Sequence, residues 1–118
     1  MRLGIDYGTT NTVVVCSDRG RYPVVPHITD TSVGPVAREV FPSAILYDRK
    51  SGRLIFGTDV ERFLCRPDAE EQFALIESPK RLIRDYREGM RLRRDIRPEG
   101  FDAAALLTEF AGALRQSI

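Results

Sequence analysis

Tryptophan is absent from this 118-residue chain, histidine occurs once, and cysteine and methionine occur twice each. A Ser-His-Asp or Cys-His catalytic system would therefore rest entirely on His27, which lies between Pro26 and Ile28 and reads as a loop residue at a strand end. Cys16 and Cys65 are far apart, with no Cys-x-x-Cys spacing and no neighbouring histidine pair, so neither a metal nor a redox site is indicated. Buried or half-buried thiols in a reducing cytosol fit them better. No apolar signal segment opens the chain and no run approaches transmembrane length, so the expectation is a cytoplasmic protein with no membrane partner. A dominant charge sign is missing too. The 18 basic and 17 acidic residues leave a net +1, which argues against a protein dedicated to nucleic acid.

What is present is an ordinary globular balance, 42% hydrophobic and 30% charged, in a length sufficient for one domain with a core. The basic residues gather between Lys80 and Arg97, where Arg81, Arg84, Arg87, Arg91, Arg93 and Arg94 join them against Asp85, Glu88 and Asp95. Only Tyr86 offers a stacking ring in that run, so it reads as a solvated face balanced by Glu61, Glu70, Glu71 and Glu77.

The most informative stretch is the opening, Leu3-Gly4-Ile5-Asp6-Tyr7-Gly8-Thr9-Thr10-Asn11-Thr12-Val13-Val14-Val15, two apolar runs flanking a turn of glycine and small hydroxyl residues. Gly8 suits a sharp turn, the amides from Gly8 to Asn11 can face one concavity, and Thr9 and Thr10 add hydroxyl donors, a set that suits an anion. Asp6 at the end of the first strand would repel phosphate unless a cation intervenes, and hydrated magnesium is the natural one. The competing reading is an ordinary hairpin whose Asp6 and Thr9 satisfy local amides.

Along the chain, residues 2–7, 11–17 and 21–26 read as strands, and the unbroken Val13-Val14-Val15 suggests a strand covered on both faces. In isolation residues 1–26 would expose apolar surface suited to self-association. Residues 27–40, with Thr29, Asp30, Thr31, Ser32, Gly34 and Pro35, have the composition of a loop crossing between subdomains. Strands follow at 43–48 and 53–57 around the turn Arg49-Lys50-Ser51-Gly52. Thr58-Asp59-Val60-Glu61 has the form of a capping box opening a helix that Pro67 ends. Residues 68–76 and 80–94 read as mainly helical. Ala103, Leu106, Leu107, Phe110 and Leu114 form an i, i+3, i+4 stripe that should pack on the strands from 43 to 57.

The Asp6-to-Asn11 string resembles the first phosphate loop of the actin-like ATPase superfamily. Phe41-Pro42-Ser43-Ala44-Ile45-Leu46-Tyr47, then Leu54-Ile55-Phe56-Gly57, then Pro79-Lys80-Arg81-Leu82-Ile83 resemble successive segments of the DnaK-type heat-shock chaperones, in the correct order. Arg84 departs from that pattern, which has glycine there; residues 27–40 and the basic segment after Tyr86 have no clear counterpart. The resemblance implies an α/β chain, the N-terminal portion of an actin-like (ribonuclease H-like) ATPase domain. Residues 1–40 would carry the strands of the first subdomain with its phosphate loop, and residues 41–118 a small α+β second subdomain. It further implies that Asp6 organises magnesium through water, that Gly8, Thr9, Thr10 and Asn11 hold ATP or ADP phosphates, and that Lys80 reaches the terminal phosphate and positions the attacking water. A compact positive charge at that place suits phosphoryl transfer, which depends on positioning and charge stabilisation.

The family's second lobe, with another phosphate loop and a glycine-rich adenosine turn, has no counterpart after residue 20, so a piece of a larger ATPase is expected. Its unfolded-polypeptide clients and co-chaperones would be met through the parent protein. A sugar or metabolite kinase of the same superfamily shares the Asp-x-Gly-Thr-Thr turn, but the Pro42-Ser43 strand, the Lys80-Arg81-Leu82-Ile83 string and the missing tryptophan fit it poorly. A non-catalytic module that binds protein or nucleic acid through the basic face or exposed strands is the reading from another class.

Overall fold

The two apolar runs that flank the opening turn form a hairpin. In the computed structural model, which describes residues 2–31, 33–76 and 78–118, β1 (Arg2–Tyr7) pairs antiparallel with β2 (Asn11–Ser17), Leu3 opposite Cys16 and Tyr7 opposite Thr12. β3 (His27–Thr31) and β4 (Gly34–Arg38) form a second hairpin, and β5 (Phe41–Pro42) joins the far side of β2. β6 (Ile45–Asp48) then sits between β7 (Leu54–Phe56) and, beyond α1 (Thr58–Leu64) and α2 (Ala69–Gln72), β8 (Phe73–Leu75). α3 (Pro79–Asp85), the short pair β9 (Arg91–Leu92) and β10 (Phe101–Asp102), and α4 (Ala103–Gln116) complete the mixed α/β chain of several small antiparallel sheets.

The helical stripe of α4 builds the main core. Ala103, Leu106, Phe110 and Leu114 are buried as expected, and the Phe110 ring meets Phe41 at 5.4 Å, Tyr7 at 6.2 Å and Phe56 at 6.3 Å between centroids. Val14, Phe41 and Ile45 belong to the same cluster, so β2, β5, β6 and α4 share one interior. β6 alternates as period two requires: Ile45 faces this cluster, and Leu46 joins Ile55, Val60, Ala69 and Phe73 in a second one under α1 and α2. The body is flat, 50 × 40 × 18 Å, with room for only two such layers.

Several local expectations change. Residues 21–26 form two isolated bridges, Val15 with Val24 and Asp18 with Arg21, because Pro23 and Pro26 lack the N–H a ladder needs. The 27–40 stretch is the β3–β4 hairpin, where Ile28, Thr29 and Val36 supply branched side chains that suit a pleated surface. Ser32, within that stretch, and Glu77 lie outside the described residues. No side-chain capping bond opens α1; its N-cap is Gly57, and Glu61 pairs with Arg38 instead. Residues 73–75 are strand, because the edge of β6 takes Phe73 and Ala74 into its ladder. The helix expected over 80–94 stops at Asp85, and Gly89 with a φ of 74° reverses the chain.

The basic run does structural work that a purely solvated face would not. Arg93, itself in the left-handed region at φ 57°, donates to the carbonyls of Leu75 and Ile76 and pairs with Asp95, whose carboxyl this hydrogen bond holds below the usual range. Arg97 lies over the Phe101 ring at 4.0 Å and donates to the Gly100 carbonyl.

His27 is fully buried, not a loop residue. Ser117 donates its hydroxyl to the Leu114 carbonyl at 2.6 Å, so at 2.7 Å it accepts from His27 Nδ1, which fixes the Nδ1–H tautomer. Nε2 is left buried without a partner, beside the Phe41 ring. Burial lowers the His27 pKa from 6.5, so the unfolded chain binds its proton more readily. Stability should be level above that pH and fall as pH drops below it, by at most about 1.4 kcal/mol per pH unit, flattening once the folded imidazole is protonated. Urea titrations between pH 7 and 5 should show this slope, and His27→Leu should abolish it.

Candidate phosphate-binding site

The turn between β1 and β2 is closed by the Gly8 amide donating to the Asn11 carbonyl at 2.9 Å. Gly8 is required here by space rather than by dihedral angle, because a Cβ at this position would collide with that carbonyl. The Gly8 amide is therefore spent within the turn, and the part that projects is Thr9 and Thr10, both exposed. Two bonds hold the turn against the loop before β6. The Ser43 amide donates to the Thr10 carbonyl at 2.8 Å, and the Thr12 and Ser43 hydroxyls share a buried hydrogen bond of the same length.

Those contacts shape a cavity of about 300 Å³ lined by Thr9, Thr10, Ser43 and Ala44 on one side and by Leu75, Ile76, Ser78 and Arg81 on the other. α3 supplies the cation: Pro79 opens the helix at its first position, and Leu82 turns inward to the core, which sends Arg81 toward the turn. The lining is mainly apolar, the Ser43 hydroxyl is already bonded to Thr12, and Arg81 is the side chain there that can meet an anion with charge.

The residues expected from sequence divide. Thr9 and Thr10 reach this cavity; Asp6, Gly8, Asn11 and Lys80 are not part of its wall. Asp6 is exposed on the edge strand opposite Val13, Asn11 pairs with Pro42, and Lys80 is exposed in the first turn of α3. Besides Ser78, Ser43 and Arg81 are the polar wall residues that carry no expected role. Both stand in strings already singled out, Pro42-Ser43 and Lys80-Arg81, but helix phase, which decides between neighbours, cannot be read from a string of charges.

Among the described residues no three His, Cys, Asp or Glu side chains gather as a metal-binding group. Asp6 alone suits magnesium only through bound water. Cys16 is partly buried as expected, but Cys65 is exposed at the C-cap of α1, and both are free thiols. No helix among the described residues is long and apolar enough to cross a membrane. No family model matches the chain, and no curated protein or solved structure was found to match it.

Proposed function

We propose that the chain is the N-terminal part of the nucleotide-binding lobe of a DnaK-like molecular chaperone, an actin-like ATPase that switches conformation with Mg-ATP and ADP. One observation carries the reading. Three segments that carry the resemblance, Thr9-Thr10, Ser43-Ala44 and the start of α3, are far apart in sequence yet converge on one cavity that Arg81 flanks. Thr9, Thr10, Ser43 and Arg81 would hold the phosphates, Asp6 would order the water around magnesium, and Lys80, exposed in the first turn of α3, would reach the terminal phosphate and position the attacking water. Nucleotide with its magnesium supplies the charge that this donor set complements; the chain's own part is to position it.

The cavity is open on one side, so tight binding needs a second lobe. In calorimetric titrations of Mg-ATP, the parent protein extending past Ile118 should bind and the 118-residue chain alone should not. In the parent, Lys80→Ala and Asp6→Ala should each lower hydrolysis by about a hundredfold or more, the usual cost of removing a group that stabilises transferring phosphate. A parent that binds no nucleotide, or a Lys80→Ala parent that hydrolyses normally, overturns the reading.

A further inference from the structure

β1 is an edge strand. It pairs with β2 on one side, its residues from Arg2 to Asp6 are exposed, and Leu3 and Ile5 keep 55% and 50% of their surface open to solvent. The bonding pattern of the hairpin tells which backbone groups face the open side. Gly8 and Asn11 form a hydrogen-bonded pair, so by alternation Asp6–Val13, Gly4–Val15 and Arg2–Ser17 are bonded pairs, and Leu3, Ile5 and Tyr7 are not bonded to β2. The partners of β1 agree: Val14 and Cys16 bond away from it, to Val25 and Pro23. Leu3, Ile5 and Tyr7 therefore present their N–H and C=O groups to the free edge.

We infer that this edge is a self-association surface, at which β1 pairs antiparallel with β1 of a second copy, Gly4 opposite Gly4 at the twofold axis. In that register Leu3 lies opposite Ile5 of the second copy and Ile5 opposite its Leu3, each pair exchanging both backbone bonds. Arg2 falls opposite Asp6, twice, as a close non-hydrogen-bonded pair of opposite charge. Shifting by two residues, so that Ile5 meets Ile5, sets Arg2 opposite Gly8 and Asp6 opposite Gly4 and loses both ion pairs. Charge complementarity thus selects one register, and the twofold symmetry makes it self-complementary. The product is a continuous six-stranded sheet that brings the Leu3 and Ile5 side chains of both copies onto one face and leaves neither β1 edge open. The contact is small, so the dimer is weak and concentration-dependent. None of this rests on the nucleotide reading.

Sedimentation equilibrium of the 118-residue chain, with charge-reversed variants, tests it. Wild type should dimerise reversibly. Arg2→Asp places Asp against Asp and Asp6→Arg places Arg against Arg, and each should weaken the dimer about tenfold as two attractive pairs become two repulsive ones. An equimolar mixture of the two variants restores opposite charges at every position and should associate at least as tightly as wild type, forming heterodimers. Circular dichroism shows whether each variant is folded, and the Arg2→Asp, Asp6→Arg double variant, which keeps complementarity in the same register, should dimerise like wild type. A wild-type chain that stays monomeric up to about 1 mM, or single variants whose mixture does not recover association, overturns the inference.

Discussion

Phe110→Ala should lower the unfolding free energy by about 3–5 kcal/mol, the range for deleting a buried aromatic side chain without backbone collapse. For a chain of this length the whole stability is of order 6–18 kcal/mol, so this single change removes a large share of it. The position is singled out because Phe110 is the one α4 residue whose ring meets Tyr7 of β1, Phe41 of β5 and Phe56 of β7 together. Its removal opens a void inside the main core, where three sheet segments meet. Urea unfolding followed by circular dichroism measures the loss. Glu109→Ala, at the exposed neighbouring position of the same helix, is the control and should change stability by well under 1 kcal/mol. Equally small changes at the two positions would mean that the Phe110 ring contributes little and that α4 is not held by this aromatic junction.

How much of this could be read from the residues varied with the range of the interaction. The β1–β2 hairpin was legible because its two apolar runs flank a local glycine turn, and α4 because its stripe from Ala103 to Leu114 writes the helical period into its own side chains. The β3–β4 hairpin was hidden. Its Thr, Asp, Gly and Pro content matches a loop, and what makes it a hairpin is non-local: His27 buried against Phe41 and tied to Ser117, and Arg38 paired with Glu61. Phe73–Leu75 was lost for the same reason, since three residues carry no period and only the edge of β6 makes them a strand. Of the site, Thr9 and Thr10 were legible because the turn is local. Arg81 and Ser43 were not, because they are chosen by the phase of α3 and by the bonds that fasten the loop before β6 to Thr10 and Thr12.

Gly57→Ala should be nearly as damaging as the loss of Phe110, although it adds a single methyl group. Two costs coincide. Gly57 has φ 62° and ψ −127°, a backbone region that side chains rarely adopt, at a cost of about 1–3 kcal/mol. An added Cβ would also fall inside the Phe41 ring, which is buried and wedged between His27 and Phe110, so the ring cannot swing aside without disturbing both. Overpacking of this kind costs about 1–3 kcal/mol, giving a combined loss of about 2–6 kcal/mol. Gly89→Ala is the comparison. Gly89 also has a positive φ, 74°, and a Cβ there meets nothing within 4 Å, so this variant carries a backbone cost and no clash. The excess loss at Gly57 over Gly89 is then the clash with Phe41 together with the further cost of ψ −127° at Gly57. If that attribution holds, Phe41→Leu should be markedly less harmful in the Gly57→Ala chain than in wild type, because the smaller side chain makes room for the methyl group. A double-mutant cycle that instead returns simple additivity would separate Gly57 from the aromatic junction and leave its requirement for glycine to the backbone angle alone.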